Sequence, residues 1–141
     1  ILEIHKLKTA RLIQMATVGG YLLSKGSSVN FKQFKDSWKL GQSIGLIFQI
    51  LDDFDDYDDH STHEMNINLW SCDKDLSRET LKRELLKLSK LLNQNNLVET
   101  KEFLQNYLDE SLKKLKKKKY ASELASLEPF FNLLRLSENG L

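Results

Sequence analysis

The chain has 141 residues, 40% of them apolar, which is enough for one modest core and too hydrophobic for a disordered chain. One proline and six glycines suit long helices and count against a β-sandwich. The net charge of +1 conceals segregation, because residues 52–59 hold six aspartates and residues 113–119 hold six lysines; such blocks point to charged sites and away from a general nucleic-acid-binding surface.

A first helix is predicted from about Ile4 to Ser24. Leu12, Met15, Ala16, Gly19 and Leu23 recur at helical spacing and read as its buried stripe. Gly19-Gly20 costs helix propensity, so a close helix contact is expected there. Gly26 is the expected C-terminal cap. A second helix runs from about Asn30 to Tyr57, where Phe31, Phe34, Trp38, Gly41, Gly45, Phe48 and Asp52 keep one rhythm. On that face an apolar stripe becomes an acidic one. Residues 58–75 are polar and show no period. Ser77 is the predicted N-cap of a third helix reaching Leu92, with Leu81, Leu85, Leu88 and Leu92 inward. Asn93 to Asn96 form a turn. A fourth helix spans about Val98 to Lys118, with Phe103, Leu104, Tyr107, Leu108, Leu112 and Leu115 inward. The last runs from Ser122 to Leu136, and Pro129 kinks or splits it. No linker divides the chain, so one all-α domain over residues 1–141 is expected.

Cys72 is the only cysteine, so no intramolecular disulfide can form; a reducing compartment, the cytoplasm, is expected. No apolar run approaches the roughly eighteen residues of a membrane span. The chain opens at Ile1 inside a helical pattern, so upstream sequence is expected.

The main chemical signal is Phe48-Gln49-Ile50-Leu51-Asp52-Asp53-Phe54-Asp55-Asp56. At about 100° per residue, Asp52 and Asp56 lie roughly 40° apart, one turn from each other. Asp53 and the Gln49 amide are expected to join them on one side. Two unit charges about 4 Å apart repel by roughly 4 kcal/mol at an effective dielectric of about 20. Either the carboxyl pKa values rise or a cation sits among them. Hard oxygen ligands favour magnesium or calcium, and magnesium leaves positions open for phosphate oxygens. A solvated acidic helix end is the plain alternative. A calcium loop with Asp53, Asp55, Tyr57, Asp59, Ser61 and Glu64 is another, although Asp58 stands where the sharp turn needs glycine.

His5, Lys6, Lys8 and Thr9 cluster at the start of the first helix, where Lys8 and Thr9 can offer an ammonium and a hydroxyl to phosphate oxygens. Ordinary surface lysines are the alternative. His60 and His63 near Cys72 lack the second ligand pair of a zinc site. Lys113 to Lys119 read as a solvated helix end, with peripheral contact to an anionic membrane as the alternative. No aromatic-basic platform supports nucleic-acid binding. Phe130, Phe131, Leu133 and Leu134 are core or a subunit contact.

Together the two clusters resemble the trans-isoprenyl diphosphate synthases. His5-Lys6-Leu7-Lys8-Thr9 is similar to that family's lysine–threonine motif, and Phe48-Gln49 with Asp52-Asp53-Phe54-Asp55-Asp56 to its FQxxDDxxD second aspartate-rich motif. Gly45 matches the small residue that precedes the phenylalanine. The resemblance implies the C-terminal half of an all-α isoprenoid synthase bundle, in a protein that forms homodimers. It implies a magnesium-dependent prenyltransferase that condenses an allylic diphosphate with isopentenyl diphosphate. Asp52, Asp53 and Asp56 would hold the metal, and Lys8, Thr9 and Gln49 the diphosphate. The first aspartate-rich motif is absent from these residues, and His60-Ser61-Thr62-His63-Glu64-Met65-Asn66 replaces the usual lysine-bearing loop. Negligible synthase activity is therefore expected of these residues alone. A non-catalytic partner subunit and a calcium-binding helical protein are the competing functions.

Overall fold

The computed structural model describes residues 9–58 and 68–135. All regular structure among them is helical. Helix α1 spans Arg11–Lys25 and follows a π-turn at residues 9–10. Helix α2 spans Phe31–Asp55 and runs into a 3₁₀ turn, Asp56–Asp58. A short α3, Leu69–Cys72, precedes α4, Lys74–Gln94, and α5, Val98–Leu115. A 3₁₀ segment, Ala121–Leu127, leads to α6, Glu128–Phe131.

Local chemistry sets most of these boundaries. Gly26 ends α1 at φ 53°, a left-handed conformation that suits a residue without Cβ, and its N–H returns to the Leu22 carbonyl at 3.0 Å. The Asn30 side chain caps α2 by accepting from the N–H groups of Lys32 and Gln33. Helix α4 begins three residues before the expected Ser77 cap. Asp73 takes that role in extended backbone, accepting from Leu76 N at 2.9 Å, and the buried Ser77 hydroxyl donates to the Asp73 carbonyl at 2.7 Å. Pro129 splits the last predicted helix and sits in the first turn of α6, where its missing N–H is harmless.

The core lies between α2, α4, α5 and the C-terminal turns. Helix α4 contributes Leu81, Leu85, Leu88 and Leu92, as its period predicts. Ile47, Ile50, Leu51 and Phe54 of α2 face them, with Leu104, Leu108 and Leu115 of α5 and with Leu124, Leu127, Phe131 and Leu134. Phe103, expected inward, is 70% exposed instead. A polar tie crosses the core, where the Ser43 hydroxyl donates to the buried Glu84 carboxylate at 2.8 Å.

Helix α1 differs from its sequence reading. Leu12, Met15 and Leu23 are exposed, and the face that packs on α2 carries Ala10, Gln14 and Val18. The glycines that make this contact close are Gly41 and Gly45 of α2, not Gly19-Gly20, around which nothing stands within 4 Å of an added Cβ. A Cβ on Gly41 would lie 2.6 Å from Gln14 Cα, and one on Gly45 would lie 2.4 Å from Ala10 Cα. Backbone-to-backbone approach rewards small and polar residues over leucines. Gln14 is buried because its amide donates to the Trp38 carbonyl at 3.0 Å and its oxygen accepts from Arg11.

Candidate functional site

The C-terminal end of α2 and the start of α1 meet beside α5 around a cleft of about 220 Å³. Gln49, Asp52 and Asp55 line it from α2, Thr9 from the π-turn before α1, and Tyr107, Ser111 and Lys114 from α5. Its apolar wall is Phe48 stacked on Tyr107, with ring centroids 4.0 Å apart and planes 6° from parallel. The close approach at Gly45 and Ala10 sets Thr9 at this end of α2.

The four aspartates of the α2 end have separate environments. Asp52 is exposed into the cleft. Asp53, expected on the same face, turns inward and is buried. Its carboxylate accepts from Gln49 Nε2 at 3.1 Å and from Leu69 N at 2.8 Å, while its backbone carbonyl accepts from Asn68 Nδ2 at 2.6 Å. These bonds seat α3, which Trp70 locks by donating from Nε1 to the Ile50 carbonyl at 2.8 Å and by an edge contact with Phe54. Sequence periodicity missed α3, a four-residue helix capped by Asn68 through Ser71 N.

Asp55 is held by lysines. Lys114 makes a close ion pair with its carboxylate, Lys118 Nζ lies 2.9 Å from Oδ1, and Lys118 donates to the Asp55 backbone carbonyl at 2.7 Å. Burial pushes the Asp55 carboxyl up, but the two ammonium groups prevail and hold it below the ordinary carboxylate value. Asp56, at the C-cap, moves the other way. Burial, and then the charges of Asp52, Asp55 and Asp53, hold its carboxyl above the ordinary value. The α2 helix end adds its own negative partial charge there.

Among the described residues, no group of three or more His, Cys, Asp or Glu side chains is arranged to hold a metal ion. The donor set still fits magnesium in part. Asp52 and Asp56 are exposed, lie one turn apart, and no described residue forms an ion pair with either. Magnesium commonly takes only one or two carboxylates, so this pair is enough for it. Helical backbone through Asp53 and Asp55 leaves no loop beginning at Asp53, so the EF-hand reading loses its first ligand positions. Lys8, His60 and His63 lie outside the described residues.

Sequence reasoning missed α5 as a wall of the cleft. The signal was available, since Tyr107, Ser111, Lys114 and Lys118 follow four-, three- and four-residue steps along one helix face. The lysine run is largely paired: Lys113 with Glu110, Lys114 and Lys118 with Asp55, and Lys116 with Glu128. No helix among the described residues is long and apolar enough to cross a membrane.

No curated protein and no solved structure matches the chain. The family model described as polyprenyl synthetase matches residues 1–124, a span that covers the α1 start, the acidic end of α2 and the lysine-bearing wall of α5. With this match over most of its length and with its all-α architecture, the chain belongs to the polyprenyl synthetase family.

Proposed function

We propose that the chain is part of a magnesium-dependent prenyltransferase that condenses an allylic diphosphate with isopentenyl diphosphate. The observation that carries this reading is the convergence of Thr9, Gln49 and Asp52 on one cleft, at the helix end that Asp56 caps. Asp52 and Asp56 are the proposed metal ligands. Asp53, first read as a third, enters as the residue that orients Gln49 and seats the segment beginning at Asn68. Lys8 and the Thr9 hydroxyl hold the diphosphate, and Gln49 lines its path. When bound, magnesium supplies the positive charge that a departing diphosphate needs. The Phe48–Tyr107 wall offers an apolar surface to the prenyl chain and keeps water from the allylic carbon. Homodimerisation stays in the proposal on the family resemblance.

The test is turnover of labelled isopentenyl diphosphate with an allylic diphosphate by the full-length protein. Elongated prenyl product that disappears with a magnesium chelator is expected. Residues 1–141 carry one aspartate-rich motif and are expected to bind diphosphate with negligible turnover on their own. Unchanged product formation after Asp52→Ala would remove the acidic face from the reaction. A non-catalytic partner subunit is the second reading. The internally committed Asp53 and Asp55 favour it, since they leave two of these four carboxylates for a metal.

A further inference from the structure

We propose that Lys114 of α5 is a diphosphate-binding residue of this cleft, held ready by Asp55; the inference rests on the reading of the cleft as a metal–diphosphate site.

Three observations carry it. Lys114 is the only cation among the described residues that line the cleft, and it shares that wall with Thr9, Gln49 and Asp52. The chain has no lysine or arginine between Lys39 and Lys74, so residues 40–73 bring no cation to the acidic end of α2. Besides Lys8, already proposed for the diphosphate, an anion entering the cleft therefore meets positive charge from α5. The pairing geometry also leaves Lys114 available. Asp55 has two lysine partners, and Lys118 contacts both its carboxylate and its backbone carbonyl. Lys114 reaches only the carboxylate, and its side chain is 68% exposed. When Lys114 turns to a phosphate oxygen, Lys118 remains on Asp55, so no carboxylate is left buried and unpaired.

Asp55 thus acts as a resting partner. It keeps the Lys114 ammonium on the cleft wall in place of free solvent, which lowers the conformational entropy lost when the ligand arrives. An ammonium serves here as a point charge with three donors, so any phosphate oxygen presented along the wall can take it.

The experiment is calorimetric titration of inorganic pyrophosphate, with magnesium present, into the full-length protein. Lys114→Met is expected to weaken binding about tenfold, while Lys114→Arg keeps most of the affinity. Lys117→Met, a neighbouring lysine outside the cleft wall, is expected to change nothing. The same comparison on an Asp55→Asn background separates two roles. A tenfold loss that persists there means Lys114 meets the phosphate itself. A loss that vanishes there means Lys114 only neutralises Asp55, which overturns the proposal. Equal affinity of wild type and Lys114→Met also overturns it and leaves the metal–diphosphate reading standing. Failure of wild type to bind pyrophosphate with magnesium overturns both.

Discussion

The two faces of the last turn of α2 carry the same side chain in opposite circumstances. On the inner face, Asp53 is 8% exposed and accepts from Gln49 and from the Leu69 backbone. On the outer face, Asp52 and Asp56 are exposed, and Asp56 is held above the ordinary carboxylate value. A buried carboxylate persists because donors compensate its lost hydration, so Asp53 works for the fold. Exposed carboxylates keep their hydration, and no described residue forms an ion pair with Asp52 or Asp56, the two proposed for the metal. Asp55 stands between the two cases, neutralised by Lys114 of the cleft wall and by Lys118.

The largest effect that would test this contrast is on stability. Asp53→Ala leaves the buried Leu69 N–H without its acceptor and releases Gln49, and it is expected to cost about 3 kcal/mol in urea unfolding. Asp52→Ala should stay within about 0.5 kcal/mol of wild type, as a surface change does. Equal losses at both positions would erase the distinction between the faces.

A smaller effect sharpens it from the side of α1. Gly45→Ala drives a Cβ into the Ala10 backbone and is expected to cost about 2 kcal/mol, the range of overpacking. Because Thr9 immediately precedes Ala10, the same variant should weaken magnesium-dependent pyrophosphate binding. Gly20→Ala, where nothing stands within 4 Å, should leave both quantities unchanged or raise stability slightly. Melting curves and calorimetry on the two variants make the comparison.

The smallest effect concerns an ion cluster away from the cleft. Glu123 is paired with Lys74 and Arg78, and the Lys74 hydrogen bond leads in holding its carboxyl below the ordinary glutamate value of 4.5. A depressed carboxyl pKa gives stability that is present above 4.5 and is lost as pH falls through the lower folded value. Glu123→Gln is expected to cost about 0.5 kcal/mol at pH 7, discounted for solvent screening of a partly exposed pair. That difference should vanish in unfolding experiments below the ordinary glutamate range.

Much of this was legible in the sequence, for reasons that residues make plain. The leucine stripe of α4 and the long rhythm of α2 up to the aspartates follow from periodicity, and the Gly26 cap from the one residue type that suits its φ. The burial of α1 was not legible. Hydrophobicity chose the Leu12–Met15–Leu23 face, whereas Gly41 and Gly45, forty residues away at most, chose the Ala10–Gln14 face by admitting backbone contact. Nor does a helical wheel separate Asp53 from its neighbours. Its inward turn depends on Asn68 and Leu69 returning from a segment with no period of its own. The role of Lys114 needed the packing of α5 against α2, which a charge run by itself does not disclose.

The outer face as a metal–diphosphate site is tested most directly by titrating pyrophosphate into the full-length protein with and without magnesium. Pyrophosphate alone should be repelled by the aspartates, so binding should be tight only when magnesium is present, with a coupling of about 1–3 kcal/mol. Asp52→Ala should weaken that coupling more than Lys8→Ala, and Asp58→Ala, about 160° from Asp56 at the 100° per residue of an α-helix, should change it little. Equal pyrophosphate affinity in the two titrations, or a loss at Asp58 as large as at Asp52, would contradict the account.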